Sequence, residues 1–152
     1  MGVEGRRPLG RRAMSLQPLL DAPWVIQVHA FGALAAFLLA VVQFAAPKGT
    51  LPHRTIGGVW ILLIVAVAVS SIFVRPSLYP GLPIHKWFSP IHLFTVLTAF
   101  GVVSGLIFLV RGGETLKHHK HPFTGIFIGG LVVAGALAFL PGRIMHQVVF
   151  GG

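Results

Sequence analysis

The amino-acid sequence predicts an all-α membrane protein, with four transmembrane helices in an up-down bundle and both termini on the same side. Two observations lead to this fold class. Of the 152 residues, 55% are hydrophobic and only 10% are charged, whereas soluble domains average about 25% charged residues. Four blocks contain no Asp, Glu, Lys or Arg, and they cover residues 25–46, 56–74, 91–110 and 123–140.

Each block is close to the ~20 apolar residues that a helix needs to cross a bilayer. The runs are continuous, whereas strands of a membrane barrel alternate apolar and polar residues. The connections are short and contain Pro and Gly, which interrupt helices. We therefore divide the chain into a basic tail at 1–24, a transmembrane domain at 25–146 and a short tail at 147–152.

The first block follows four arginines, as the apolar part of a signal peptide would. It is longer than the usual 7–15 residues of such a part, and no small-x-small cleavage site follows it. We expect a retained span in a bacterial inner membrane. Seven basic residues fall on the predicted terminal side and five on the other, which favours cytoplasmic termini.

The polar inventory favours a protein that is not an enzyme. The chain has no Cys and only three acidic residues, Glu4, Asp21 and Glu114, all outside the four blocks. This composition argues against thiol catalysis, iron–sulfur clusters and paired-carboxylate hydrolysis. A small transporter or channel is the least favoured class, because the blocks carry no charge. The net charge of +9 fits contact with membrane lipids and not with nucleic acid.

Eight histidines are the unusual feature of the composition. We expect His29 and His92 to face each other inside the bundle, where two imidazoles can ligate haem b, copper or a chlorophyll-type magnesium. His146 is a substitute ligand. The competing interpretation is that these side chains hydrogen-bond to a neighbouring helix or to the interface. On the opposite side, His53 and His121 form a weaker metal pair, and the tract at 118–121 is either a metal site or a solvated loop.

Small residues form two further faces. Gly101 and Gly105 lie on the third block, on nearly the opposite face from His92, and Gly125 and Gly129 align on the fourth. Such faces let helix backbones approach closely, either within the bundle or against an outside partner. Arg54 and Arg143 stand at span ends, where arginine contacts lipid phosphate or a partner's carboxylate.

Four stretches of the sequence carry a family resemblance, and they are H-A-F-G-A-L-A-A-F-L-L-A-V-V-Q-F from His29, K-G-T-L-P-H-R-T-I-G-G-V-W from Lys48, S-P-I-H-L-F from Ser89 and L-P-G-R-I-M-H from Leu140. Together they resemble the DUF2306 family of small bacterial membrane proteins. The resemblance runs from about residue 24 to 146. The basic loop at 113–121 departs from the family's G-D-x-x-x-H-R-R-W-M type segment. The resemblance implies a multi-span inner-membrane protein and no particular chemistry.

Together these observations favour a non-enzymatic integral membrane subunit. Its small-residue helix faces would pack against other protein subunits of a larger bacterial membrane complex, respiratory or photosynthetic. The alternative is an electron-transfer protein of the b-type cytochrome kind, with haem ligated by transmembrane histidines.

Overall fold

The computed structural model describes residues 14–86 and 92–151. Four predicted features therefore lie wholly or partly outside the described residues: the tail arginines Arg6, Arg7, Arg11 and Arg12, the residue Glu4, the Ser89 motif and the first residue of the third block, Ile91. Within the described residues every regular element is helical, and there is no strand.

The described residues form seven α-helices in succession, with two short 3₁₀ turns and one π-helical segment between them. They are α1 (Gln17–Leu20), α2 (Trp24–Ala45), α3 (Leu51–Leu78), a 3₁₀ turn (Ile84–Lys86), α4 (His92–Arg111), a second 3₁₀ turn (Gly113–His118), α5 (Lys120–Gly125), the π segment (Ile126–Val133), α6 (Ala134–Ala138) and α7 (Ile144–Phe150).

Four helical stretches are long and apolar enough to cross a membrane, and they are Trp24–Ala45, Leu51–Arg75, His92–Arg111 and Gly113–Ala138. We refer to the last, which joins the second 3₁₀ turn, α5, the π segment and α6, as the fourth span. The chain therefore has the helices of a multi-pass membrane protein. Its outward side chains are mostly large and apolar, with Val110 86% and Leu51 77% exposed, as lipid contact requires.

Helix α3 begins five residues before the predicted block. Thr50 caps its first turn, because the Thr50 hydroxyl accepts a hydrogen bond from the backbone N–H of His53 at 3.3 Å, and Pro52 suits the first turn of a helix. His53 and Arg54 therefore lie inside the helix and not in the loop before it. A search for blocks without charge misses this turn because Arg54 interrupts the block.

The helices pack in a closed order. Helix α2 contacts α3, α3 contacts α4, α4 contacts the fourth span, and the π segment of that span returns to α2. The core between them is small and centred on Ala36, Trp60 and Ile64. In a bilayer such a core is held by close packing, since lipid tails are as apolar as the side chains.

A second cluster joins the two ends of the described chain. Leu19 of α1, Ile26 of α2 and Val148 of α7 are buried against one another, and the backbone N–H of Ser15 donates to the carbonyl of Val148 at 3.0 Å. The predicted C-terminal tail at 147–152 thus contains most of a helix, and the predicted N-terminal tail contains α1.

Candidate functional site

The small face of α2 packs against α3. The indole N–H of Trp60 donates to the carbonyl oxygen of Ala36 at 2.9 Å, in a fully buried contact. One turn away, a Cβ placed on Gly32 would lie 3.1 Å from a methyl carbon of Val67. Ala36 and Gly32 must therefore stay small, because α3 fills the space beside them.

The far end of the same face carries Gln43. Its amide nitrogen donates to the backbone carbonyl of His53 at 2.9 Å, and a Cβ on Gly57 would lie only 2.8 Å from that nitrogen. Two enclosed polar atoms at this point, Gln43 Oε1 and His53 Nδ1, have no hydrogen-bond partner among the described residues. Residues early in α2 thus meet residues late in α3, and residues late in α2 meet residues early in α3.

His29 contacts α3 and not a facing imidazole. Its Nδ1 lies 3.1 Å from the carbonyl oxygen of Val67 and 3.1 Å from the hydroxyl of Ser70. A carbonyl oxygen only accepts, so the Nδ1 proton is directed at Val67, and Nε2 keeps its lone pair. Ser70 also donates to the Val67 carbonyl, at 3.0 Å.

A polar contact continues from α3 to α4. The hydroxyl of Ser71 lies 2.8 Å from that of Thr95, and His92 stands one turn before Thr95. His92 and Ser70 are each only 8% exposed, and they are the buried polar residues of the described chain. Together with His29, these residues form a group that we call the polar band: His29, Ser70, Ser71, Thr95 and His92.

The polar band shows what the sequence missed. The sequence predicts that His29 and His92 face each other, which stays a prediction, and it does not predict the contacts of His29 and Thr95 with hydroxyls of α3. Ser70 and Ser71 are neighbouring residues of α3, and two adjacent hydroxyls in an apolar span are the sequence feature that indicates polar contacts on this helix. Both also bond to carbonyls of their own helix, which is the usual behaviour of serine in a membrane helix.

His146 lies on α7, beside the end of the bundle. Its Nδ1 is 2.9 Å from the carbonyl oxygen of Phe139, and its ring lies 4.9 Å from that of Phe150. This hydrogen bond ties α7 back to the end of the fourth span. The role of His146 as a substitute ligand stays a prediction.

The metal pair of His53 and His121 stays a prediction, and the described contacts of the two residues are to other side chains. His121 has its ring 6.3 Å from that of His118, whereas His53 is within electrostatic reach of His119 and Lys48. Across the described ranges, no three His, Cys, Asp or Glu side chains are grouped so that they could hold a metal ion.

The two arginines predicted to contact lipid or a partner are both exposed. Arg54 projects from the first turn of α3. Arg143 precedes α7 as its N-terminal capping residue, and it therefore begins a new helix in addition to following the fourth span. Their contacts with lipid or a partner stay predictions.

The glycines of α4 pack within the chain. A Cβ on Gly101 would lie 2.7 Å from the side chain of Ile126, and one on Gly105 would lie 2.5 Å from the ring of Phe123. Both contacts belong to the fourth span. The face predicted for close helix packing therefore has its partner in the same molecule.

The two predicted packing glycines of the fourth span, Gly125 and Gly129, are open. A Cβ on Gly125 or Gly129 would meet no atom within 4 Å. They border a groove of about 210 Å³ between α4 and the fourth span. We call it the glycine groove, and it is lined by Leu97, Thr98, Phe100, Gly101, Ser104, Pro122, Gly125, Ile126, Gly129 and Gly130.

No family model, curated protein or solved structure matches the chain. The resemblance to the DUF2306 family thus stays a prediction from the sequence motifs.

Proposed function

We propose that the chain is a non-enzymatic integral subunit of a larger bacterial inner-membrane complex, of the respiratory or photosynthetic kind. The observation that carries this proposal is the glycine groove. Gly125 and Gly129 present backbone without side chains on an outward surface, where a neighbouring helix can approach closely. Small-residue faces of this type associate by close packing. Lipid tails are as apolar as the side chains, so the hydrophobic effect does not drive helices together in a bilayer.

The comparison with α4 supports this function. Gly101 and Gly105 are small because Ile126 and Phe123 occupy the space beside them. Among the described residues, no neighbouring atom gives such a reason for Gly125 and Gly129. Glycine in a helix interior costs about 1 kcal/mol relative to alanine. An outside helix would give these two positions the packing contact that the described residues do not.

The proposal includes an up-down bundle with both termini on the cytoplasmic side. It is supported by the reversed pairing of residues between α2 and α3 and between α4 and the fourth span, and by the hydrogen bond between Ser15 and Val148. Single cysteines at Thr50 and Thr115 should label from one side of intact cells, and one at Ser77 from the other. Labelling of all three from one side would exclude this topology.

The test of the subunit proposal is the double variant Gly125→Leu, Gly129→Leu. Leucine favours membrane insertion by roughly 0.5 kcal/mol, so the spans should still insert while the groove is filled. In mild-detergent native gels of the host membrane, the wild type should migrate with partner proteins and the variant alone. Gly135→Leu is the matched control, because Gly135 is also open and does not line the groove. A wild type that migrates as a lone monomer would overturn the proposal.

A b-type cytochrome function is the second candidate, and the geometry of His29 favours it. Ligating histidines usually donate their other ring N–H to a carbonyl or carboxylate, which fixes the tautomer. His29 does so toward Val67, and Nε2 is then the nitrogen available to an iron. The imidazoles of His29 and His92 suit haem as a donor set.

The contact of Gly32 with Val67 leaves no room for a porphyrin between α2 and α3 at that depth. A haem held by His29 would therefore lie on the Nε2 side of the ring. Protein purified with haem should show a Soret band that His29→Ala and His92→Ala both abolish. Ser104→Ala is the control that should keep it. A colourless, folded preparation from a haem-supplemented host would exclude this function.

A further inference from the structure

A shallow apolar groove runs along an exposed face of α4 and ends at the side chain of Arg111. It has a volume of about 450 Å³ and is lined by Val103, Leu106, Ile107, Val110 and Arg111. These positions recur at spacings of three and four residues and so share one helix face. Eight residues separate its ends, which is about 12 Å along a helix. We call this surface the α4 groove.

The chain reverses direction directly after Arg111. Gly112 and Gly113 have φ angles of 63° and 54°, a left-handed conformation that glycine adopts without strain. The following 3₁₀ turn folds back against α4, since the ring of His118 lies 6.1 Å from that of Phe108. The ring of His121 lies next to that of His118. Two exposed imidazoles therefore stand beside the last turn of α4.

The charge at this end of α4 is positive. Between residues 111 and 121 the sequence has three Lys or Arg and one acid, Glu114. That carboxylate is bound by Lys117 three residues later. Arg111 is exposed and is the charged residue that lines the α4 groove. A negatively charged group at this end of the groove would therefore meet the Arg111 guanidinium.

We propose that the α4 groove binds one anionic phospholipid, with the phosphate at Arg111 and an acyl chain along Val103 to Val110. The cation Arg111 matches the phosphate of the lipid, and the apolar side chains of the groove match its acyl chain. A soluble anion would use the cation and leave the apolar groove empty. A lipid with no net charge would gain less from Arg111, because its own ammonium group offsets the phosphate.

The full chain in nanodiscs with equal parts phosphatidylglycerol and phosphatidylcholine provides the test. After transfer to detergent, the lipid that stays bound is identified by native mass spectrometry. Phosphatidylglycerol should be enriched in the wild type. Arg111→Gln should lower that enrichment about fivefold, the effect of one cation near an anionic surface. Lys48→Gln is the matched control, since it removes one positive charge from an exposed side chain outside the groove.

A second variant separates the acyl contact from the charge. Leu106→Ala with Ile107→Ala keeps every charge but opens the groove, and it should also release the bound lipid. Inorganic phosphate added to delipidated protein should not raise its unfolding temperature, whereas phosphatidylglycerol should. Equal retention of the two lipids, an equal loss in Lys48→Gln, or full stabilisation by phosphate alone would each overturn the proposal. Arg111→Gln and Lys48→Gln both change exposed side chains, so their folding is checked by the same unfolding temperature.

Discussion

Two pairs of helices pack closely in this molecule, but by different interactions. One pair is α2 with α3, and the other is α4 with the fourth span. The first uses directed polar bonds, from the Trp60 indole to Ala36 and from His29 to Val67. The second uses close fit, with Gly105 against the ring of Phe123. Hydrogen bonds thus fix the register of the first contact, and steric fit fixes that of the second.

This difference predicts unequal sensitivity to substitution. A hydrogen bond between membrane helices contributes about 0.6 kcal/mol on average, so the polar contact should weaken in small steps. A side chain added to a glycine that already touches a neighbouring side chain forces that neighbour or the helix to move, and such overpacking typically costs about 1–3 kcal/mol. The apolar contact should therefore fail abruptly.

The largest effect is expected for Gly105→Leu. Its Cβ alone would lie 2.5 Å from two ring carbons of Phe123, so the ring or the helix that carries it must move. We expect a loss of about 3 kcal/mol of stability, measured as thermal unfolding in detergent. Gly135→Leu, at an open position of the same bundle, should unfold like the wild type. Equal unfolding temperatures for both variants would refute the packing described for Gly105.

A smaller effect is expected for Trp60→Phe. The variant keeps an aromatic ring against Phe123, whose ring centroid is 5.8 Å away, and removes the N–H that binds Ala36. Loss of one buried hydrogen bond should cost about 1 kcal/mol, read from the same unfolding curves. Trp24→Phe serves for comparison, because Trp24 is 73% exposed and should change stability little. A neutral Trp60→Phe would mean that fit governs this contact as well.

A weaker loss is expected where the polar band crosses from α3 to α4. Ser71→Ala removes the hydroxyl that meets Thr95 and should cost about 0.6 kcal/mol. A double-mutant cycle with Thr95→Val should recover most of that amount as coupling energy. Ser104→Ala is the control, because the Ser104 hydroxyl bonds only to carbonyls of its own helix, those of Phe100 and Gly101. A coupling energy near zero would show that the hydroxyls of Ser71 and Thr95 do not connect the polar band to α4.

The smallest effect is expected for Gln43→Met. The substitution deletes the hydrogen bond to the His53 carbonyl, but it also removes an enclosed Oε1 without a partner. Loss of the hydrogen bond lowers the stability, and removal of Oε1 raises it. The free energy of unfolding should therefore stay within about 0.5 kcal/mol of the wild type. A clear loss would show that Oε1 has a partner, such as a bound water, that completes the site.

Much of the fold follows from the sequence, because a bilayer demands long runs without charge. That criterion finds the four blocks but places their ends poorly. It excludes Arg54 from α3, although the Thr50 cap and Pro52 support a helix start at Leu51. It also passes over α1 and α7, which are too short to show a periodic pattern.

The site was harder to predict than the fold. The small, polar face of α2 is visible in the sequence, but a face does not specify which helix covers it. His29 therefore could be expected inside the bundle, whereas its bond to Val67 depends on the register of α2 against α3. The same limit applies to the glycines. Their spacing indicates close packing, and only the position of Phe123 separates the covered Gly105 from the open Gly125.

The π segment has a consequence for the relation of this chain to any relatives. Its hydrogen bonds span five residues where an α-helix spans four, so each such turn holds one residue more. Removing one residue from a continuous helix rotates everything beyond the deletion by about 100° and shortens the helix by about 1.5 Å. A relative with a regular helix here would align with a one-residue gap between Ile126 and Val133. Residues after the gap would then correspond in space although their spacing from Gly125 differs.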